Sequence, residues 1–202
     1  MTTRKPEAQT SGPTSATGIL KLKVTLLGVK PPIWRRLLVA EAMTLGGLHD
    51  VIQEAMGWER YHLHLFEING ERFSDPEGFP EAKNEDRYRL SRLIKDGVKK
   101  FVYTYDFGDD WAHSIVVEGQ QAASPGIFYP TCIAGKRAGP PEDCGGIGGY
   151  GGLLEALATP DHPDREEMLG WVDSEFDPEE FSADVINAGL KAMFTPTGKR
   201  RS

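Results

Sequence analysis

The segment at residues 106–113 holds the densest set of side chains that could do chemistry. Asp106, Asp109, Asp110 and His113 place three carboxylates and one imidazole within eight residues. Carboxylate oxygens suit hard divalent cations, and a histidine beside them can act as a base or as a further ligand. These four residues are the candidates for a metal-dependent hydrolase or nuclease. Asp and Gly are also typical of a tight hairpin turn, and we favour that interpretation of the segment.

The alternation of a β-strand divides this segment. Trp111 and His113 are expected to face one side of the sheet, and Ala112 and Ser114 the other. A lone histidine among aromatic and aliphatic side chains is more often a core residue than a ligand. We therefore expect His113 to lie on the aromatic face, and to bind a metal only with a ligand brought from elsewhere.

Trp34, Arg35 and Arg36 lie in a predicted strand, where the inward-facing row must include one of the two arginines. A buried guanidinium without a carboxylate partner is costly. We therefore expect Arg35 or Arg36 to pair with an aspartate of the turn at residues 106–110, which would fix two hairpins together.

The alternative for these arginines is an anion site, at which one guanidinium contacts a phosphate or a carboxylate beside an aromatic ring. The residues assigned to such a binding surface are Trp34, Arg35, Arg36 and Trp111.

Cysteines and histidines supply a second set of candidate metal ligands. The members are Cys132, Cys144, His62, His64 and His113. Two cysteines make half of a tetrahedral zinc site, and two histidines on one strand face can chelate, but the local spacing matches no known zinc finger. The sequence therefore predicts no particular cofactor and leaves a divalent metal open.

The predicted elements begin with a hairpin and a helix. Alternating apolar residues predict strands over residues 20–26 and 33–39. Thr44 is the expected N-cap of an amphipathic helix, and Gly57 the residue that ends it. The helix is expected to pack on the hairpin.

Further strands and helices follow along the chain. Alternation predicts strands over residues 63–68, 101–105 and 111–117, with Asn69-Gly70 as a hairpin turn. A Pro- and Gly-rich loop is predicted over 129–152, and helices over 153–158, 165–171 and 183–193. Strands first and helices last predict an α+β fold, in which two hairpins and a helix form a mixed or antiparallel sheet with a helical C-terminal region.

Length and composition favour one globular domain. We expect residues 1–18 to be a disordered tail, 19–194 the domain, and 195–202 a short basic tail. No apolar run approaches the ~18 residues of a membrane span, and two cysteines without a signal segment favour free thiols in the cytoplasm. The net charge of −7 disfavours a nucleic-acid partner, although residues 19–42 are basic.

Four segments, at residues 33–36, 62–66, 105–113 and 140–146, together resemble the plasmid pRiA4b Orf-three-like family, over about residues 19–190. Relatives include insertion-sequence passenger proteins called TnpR, which implies an association with mobile elements. No nucleophilic serine beside clustered arginines supports a resolvase. Many relatives have a cysteine where this chain has Gly139, which weakens a metal site carried over from them.

The expected function is therefore a binding or accessory module that recognises a ligand or a protein partner at an Arg-, Asp- and aromatic-bearing surface. The metal-dependent hydrolase or nuclease is one alternative. A protein-interaction domain is another, and it predicts an exposed apolar patch rimmed by the acidic C-terminal helices.

Overall fold

A single eight-stranded sheet organises the chain. The structure, a computed structural model, describes residues 18–163, 165–170, 172 and 176–195. The strands are β1 (Gly18–Leu26), β2 (Trp34–Ala40), β3 (His64–Ile68), β4 (Glu71–Ser74), β5 (Lys83–Asn84), β6 (Lys100–Tyr105), β7 (Trp111–Ala122) and β8 (Thr131–Lys136). The helices are α1 (Leu45–Met56), α2 (Ser91–Lys95), α3 (Gly146–Ala158), α4 (Arg165–Leu169) and α5 (Ala183–Phe194), with a 3-10 turn at Glu85–Arg87.

The strand order across the sheet is β5-β4-β3-β6-β7-β1-β2-β8. Strands β4 and β5 pair in parallel, and the other neighbours are antiparallel. Both predicted hairpins form, β1 with β2 and β6 with β7, and β1 pairs with β7 to join them. The predicted α+β class is confirmed.

Helix α1 lies across the buried face of the sheet. Gln53 Nε2 donates to the hydroxyl of Tyr103 on β6 at 2.9 Å, and Arg35 Nε on β2 donates to the carbonyl of Ala55 at 2.7 Å. Both predicted ends are confirmed. The Thr44 side chain accepts from a backbone N–H of the first turn, and Gly57 ends the helix in the left-handed region at φ 84°.

The predicted loop at residues 129–152 is wrong in two places. Strand β8 lies within it and pairs with β2, and α3 begins at Gly146 instead of at residue 153. Strand β8 has no clean apolar alternation, so its formation depends on the free edge that β2 offers. The glycines of α3 are poor helix formers. They permit close approach, since a Cβ at Gly146 would lie 2.5 Å from the carbonyl oxygen of Asp109.

Both predicted tails fall almost wholly outside the described residues, except that Gly18 and Thr195 are described and Gly18 begins β1. Helices α4 and α5 confirm the predicted C-terminal helices, although Trp171 is outside the described part. Within the described residues, each helix is too short or too polar to cross a bilayer.

The loop at residues 137–145 docks on the C-terminal end of α1. Trp58 Nε1 donates to the carbonyl of Pro140 at 2.8 Å. A Cβ built on Gly139 would lie 2.1 Å from the carbonyl oxygen of Met56, closer than a side-chain carbon can approach. A cysteine at position 139 would therefore require a different fit between this loop and α1.

Gly139→Ala is expected to lower the free energy of unfolding by about 1–3 kcal/mol, because the added methyl group meets a backbone oxygen. Urea denaturation measures this change. Gly151→Ala in α3 is the matched control, since a Cβ there meets nothing within 4 Å and alanine favours a helix by up to ~1 kcal/mol. Equal stability of the two variants would show that the loop does not dock as described.

Candidate metal centre

Three side chains from three separate segments converge at one end of the sheet. His62 precedes β3, Asp106 follows β6, and Asp143 lies in the loop before α3. The Nε2 atom of His62 is 2.9 Å from Asp143 Oδ1 and 3.6 Å from Asp106 Oδ2. One ligand atom of each residue lies within 4.8 Å of the others. Ligands bound at ~2.0–2.2 Å around one ion are about 3–3.5 Å apart, and the two distances from His62 Nε2 are close to that range, the shorter one being a hydrogen bond to Asp143.

Sheet register brings the first two ligands together. In the antiparallel pair of β3 and β6, His64 lies opposite Tyr105, and the backbone N–H of Asp106 donates to the carbonyl of Leu63 at 2.9 Å. Asp106 then adopts a left-handed conformation at φ 54°, which turns the chain out of the strand. An aspartate suits this position, because Asp adopts the left-handed conformation more readily than most residues do.

A further hydrogen bond orients each carboxylate. Gly108 N–H donates to Asp106 Oδ1 at 2.9 Å, and the hydroxyl of Tyr61 donates to Asp143 Oδ2 at 2.9 Å. In each carboxylate, one oxygen is thus held and the other faces His62. The hydrogen bond to Asp143 is the main reason that the pKa of Tyr61 rises to about 12. Outer hydrogen bonds of this kind are what orient metal ligands in known sites.

Glu142, the residue before Asp143, is not one of the three candidate ligands and contacts Tyr105 and Glu59 instead. Its Oε1 accepts from the hydroxyl of Tyr105 at 3.0 Å and from the backbone N–H of Glu59 at 2.8 Å. Its Oε2 is buried without a hydrogen-bond partner among the described residues. Burial, helped by Glu142, raises the pKa of Tyr105, so this phenol remains a donor.

A polar cavity of about 620 Å³ adjoins the centre at His62. Its wall includes His64, whose Nε2 is 2.7 Å from Glu85 Oε2 and whose ring stacks on His49 at 3.6 Å. His49 Nδ1 lies 2.8 Å from the Tyr103 hydroxyl. Burial, followed by the electrostatic effect of the neighbouring His64, lowers the pKa of His49 to about 2. His49 is therefore neutral, while His64 has a carboxylate partner.

The four candidates of the predicted hydrolase cluster do not converge. Asp106 joins His62, whereas Asp109 Oδ2 accepts from Gly145 N–H at 3.2 Å, and Asp110 is exposed. His113 is fully buried, with Trp58 and Tyr103 against its ring. The turn interpretation of residues 106–110 is borne out by its geometry, because Asp106 and Asp110 both adopt positive φ. Trp111 shares the buried face with His113, as strand alternation predicts.

The predicted ion pair between an arginine and the turn acids is wrong. Arg35 donates to backbone carbonyls, and Arg36 forms a two-bond pair with Glu118 at 2.7 and 2.9 Å. The reason lies in the sheet order, which places β1 between β2 and β7 and so separates the arginines from the 106–110 turn.

The predicted binding surface is divided between two faces. Arg35 and Trp111 are buried, whereas Arg36 and Lys23 each lie 5.2 Å from the ring centre of Trp34 on the other face. Glu118 lies within salt-bridge distance of two cations there, Arg36 and Lys21. The four residues Trp34, Arg35, Arg36 and Trp111 therefore do not form one surface, and the carboxylate reduces the positive charge of the outer face.

Within the described part of the chain, Cys132 and Cys144 belong to no group of three or more potential metal ligands. Cys132 and Cys144 are buried free thiols, and burial raises the pKa of Cys144 to about 12, which disfavours the thiolate. Among the described residues, the one group of three or more potential ligands is His62, Asp106 and Asp143. The candidates His64 and His113 lie outside that group.

Asp143 is the candidate ligand that was not predicted from the sequence. It stands in the Pro-Pro-Glu-Asp-Cys-Gly-Gly stretch at residues 140–146, which is one of the segments that carries the family resemblance. An acidic pair between prolines and glycines was the available signal. Its contact with His62 across the fold could not be read from local spacing.

Comparison with known proteins supports the resemblance. A family model described as plasmid pRiA4b ORF-3-like protein matches residues 18–185. The uncharacterized protein y4hQ of Sinorhizobium fredii (strain NBRC 101917 / NGR234) is 40% identical over 159 residues, covering 77% of this chain and 81% of that protein. The crystal structure of MM3350, a protein of unknown function from Methanosarcina mazei Go1, has a TM-score of 0.78 at 39% identity, covering 83% of this chain and 97% of that one.

The buried His113 makes stability depend on pH. Burial lowers its folded pKa from 6.5 to about 4, against the opposing effect of the backbone of Trp111 and Tyr103. Below pH ~6.5 the unfolded chain binds a proton that the folded chain does not, so stability falls as pH falls, by up to ~1.4 kcal/mol per pH unit.

In the variant His113→Leu, the free energy of unfolding is therefore expected to fall less steeply between pH 6.5 and 5. The reason is that about one proton fewer is taken up when this variant unfolds. Urea denaturation at a series of pH values measures the slope. The difference between the two proteins at pH 7.5, where the histidine is neutral in both states, gives the effect of packing alone. Parallel pH curves would contradict this assignment.

Proposed function

The chain belongs to the plasmid pRiA4b ORF-3-like protein family, and we propose that it is a binding module whose ligand is a divalent metal ion held by His62, Asp106 and Asp143. The observation that carries the proposal is the convergence of three ligand atoms from three segments. The description of the family supports a role on plasmids or other mobile elements.

The donor set suits a borderline cation. One imidazole nitrogen and two carboxylate oxygens favour Zn²⁺ or Mn²⁺ over Ca²⁺, which prefers oxygen ligands alone. Asp106 is only 6% exposed, so its charge is partly removed from water and gains from a cation nearby. Three protein ligands leave positions for water or for a bound molecule.

The two carboxylates of the proposed site are not neutralised by other charged side chains in the described residues. Asp106 and Asp143 have no Lys or Arg partner in the described part of the chain. Two ionisable side chains contact them: His62, which is neutral when it binds a metal, and Tyr61, whose hydroxyl stays uncharged because its pKa is raised to about 12. Two carboxylates therefore face the same point with no permanent positive charge between them.

Asp143→Asn is expected to weaken Zn²⁺ or Mn²⁺ binding by at least about tenfold, because it replaces a charged ligand by a neutral amide. Calorimetric titration measures the affinity. In thermal denaturation, a metal at 100 times its Kd should stabilise the wild-type chain by about 2.7 kcal/mol and the variant by less.

Asp110→Asn is the matched control for that experiment. It makes the same charge change at an exposed aspartate in the neighbouring turn, and asparagine also accepts the positive φ there. Metal affinity should be unchanged. Equal weakening of metal binding by both variants would mean that the effect comes from general surface charge. If the wild-type chain binds no divalent metal, the proposal is wrong and the protein-interaction alternative is favoured.

A metal-dependent hydrolase is a second candidate, supported by the cavity that His62 shares with the His64–Glu85 pair. In this proposal, the metal would activate a water and His64 would act as its base. Hydrolysis of bis(p-nitrophenyl) phosphate with Zn²⁺ or Mn²⁺ tests it. His64→Gln should abolish turnover while metal affinity is kept. If the wild-type chain shows no turnover, the hydrolase candidate is rejected and the binding module remains as the proposed function.

A further inference from the structure

A second cavity, of about 720 Å³, lies on the other side of the loop at residues 138–142. It is bounded by that loop, by the C-terminal end of α1 and by the start of α5. This volume falls within the ~300–1,000 Å³ of typical small-molecule sites. The charges in its wall indicate what it would bind.

Arg35 forms one part of that wall and is only 3% exposed. Its Nε donates to Ala55 at 2.7 Å, and its Nη1 donates to the carbonyls of Trp34 and Lys136 at 2.9 and 3.1 Å. Among the described residues, Nη2 has no hydrogen-bond partner, and no carboxylate lies within 4.0 Å of the guanidinium. Its N–H groups are thus largely satisfied, but its charge is not.

A buried cation without a counter-charge is costly, and carbonyl dipoles offset only part of that cost. Burial lowers the pKa of Arg35 to about 10, which leaves the side chain charged at neutral pH. An anion bound at Nη2 would supply the missing partner through a charge-assisted hydrogen bond.

Glu142 in the same wall carries the opposite charge, and it also has an atom without a partner. Its Oε2 atom is buried and has no donor among the described residues. Glu54, Glu59 and Glu180 also line the cavity. This acidity disfavours phosphates and other polyanions, and it favours an ammonium group.

Apolar side chains complete the wall. The ring of Phe181 lies 5.2 Å from the Arg35 guanidinium carbon, and Phe176, Met56 and Ile186 line the same cavity. A ligand that satisfies both charges must therefore also carry an apolar group. A purely polar zwitterion would leave this surface in contact with water.

We propose that this cavity binds a small zwitterion with a large apolar group, as in a free amino acid or a short peptide. The carboxylate binds Arg35, the ammonium group binds Glu142, and the apolar group packs on Phe181. This site is separate from the proposed metal centre and does not depend on it.

L-phenylalanine and L-phenylalanyl-L-phenylalanine are the probes, and calorimetric titration together with thermal denaturation measures their binding. At least one should bind saturably and raise the melting temperature. The length of the better ligand distinguishes an amino acid from a peptide. Phenethylamine and 3-phenylpropionate, which each lack one charge, should bind at least ~10-fold more weakly than the corresponding zwitterion.

Glu142→Gln tests the contribution of the Glu142 charge separately from that of Arg35. The amide retains an oxygen that can accept the hydrogen bonds from Tyr105 and Glu59. It should weaken the zwitterion about tenfold and leave 3-phenylpropionate unchanged. Arg35→Gln should weaken 3-phenylpropionate and leave phenethylamine unchanged. If Arg35→Gln does not fold, the Glu142→Gln comparison alone decides.

Asp143→Asn is the control that separates this site from the metal centre, since it should not change binding of the zwitterion. No binding of either probe up to ~10 mM would overturn the proposal. Phenethylamine that binds as tightly as the zwitterion, with no effect of Glu142→Gln, would also overturn it.

Discussion

The antiparallel pairing of β1 with β7 joins a five-stranded part of the sheet, β5-β4-β3-β6-β7, to a three-stranded part, β1-β2-β8. Val24 lies opposite Ile115 in this pairing, and both are fully buried. The joined sheet presents one continuous apolar face, on which α1 packs. Because α1 contacts β6 through Tyr103 and β2 through Arg35, its position depends on both hairpins.

The loop between β8 and α3 depends in turn on α1 and on the turn between β6 and β7. Gly139 fits against the end of α1, while Gly145 and Gly146 contact Asp109. These contacts position Glu142, which lines the cavity of about 720 Å³, and Asp143, which lies beside His62. One residue of this acidic pair belongs to the candidate metal centre, and its neighbour faces the second cavity. A single loop therefore sets the geometry of both.

Arg35 shows how a fold can bury a charge without an ion pair. Three carbonyl oxygens and the face of Phe181 surround its guanidinium. Arg36, next along the strand, points to the opposite face and pairs with Glu118. The alternation of the strand thus gives two adjacent arginines entirely different environments. Among the residues that the structure describes, only the buried one lacks a compensating carboxylate.

The sequence by itself determined the local elements of this protein. Alternation predicted β1, β2, β6 and β7, and Thr44 and Gly57 marked the ends of α1, because these signals lie within a few residues of one another. The burial of His113 beside Trp111 followed from the same alternation. The four family motifs led to the family that the comparison supports.

Only the tertiary structure decided which distant residues meet. His62 and Asp106 come together through the register of β3 with β6, and Asp143 reaches them from a loop whose path depends on its docking against α1. The expected pairing of arginine with the turn acids failed because strand order is not encoded in local spacing, and β1 lies between them. Strand β8 was missed for a related reason, since its residues become a strand only where the edge of β2 supplies hydrogen-bond partners.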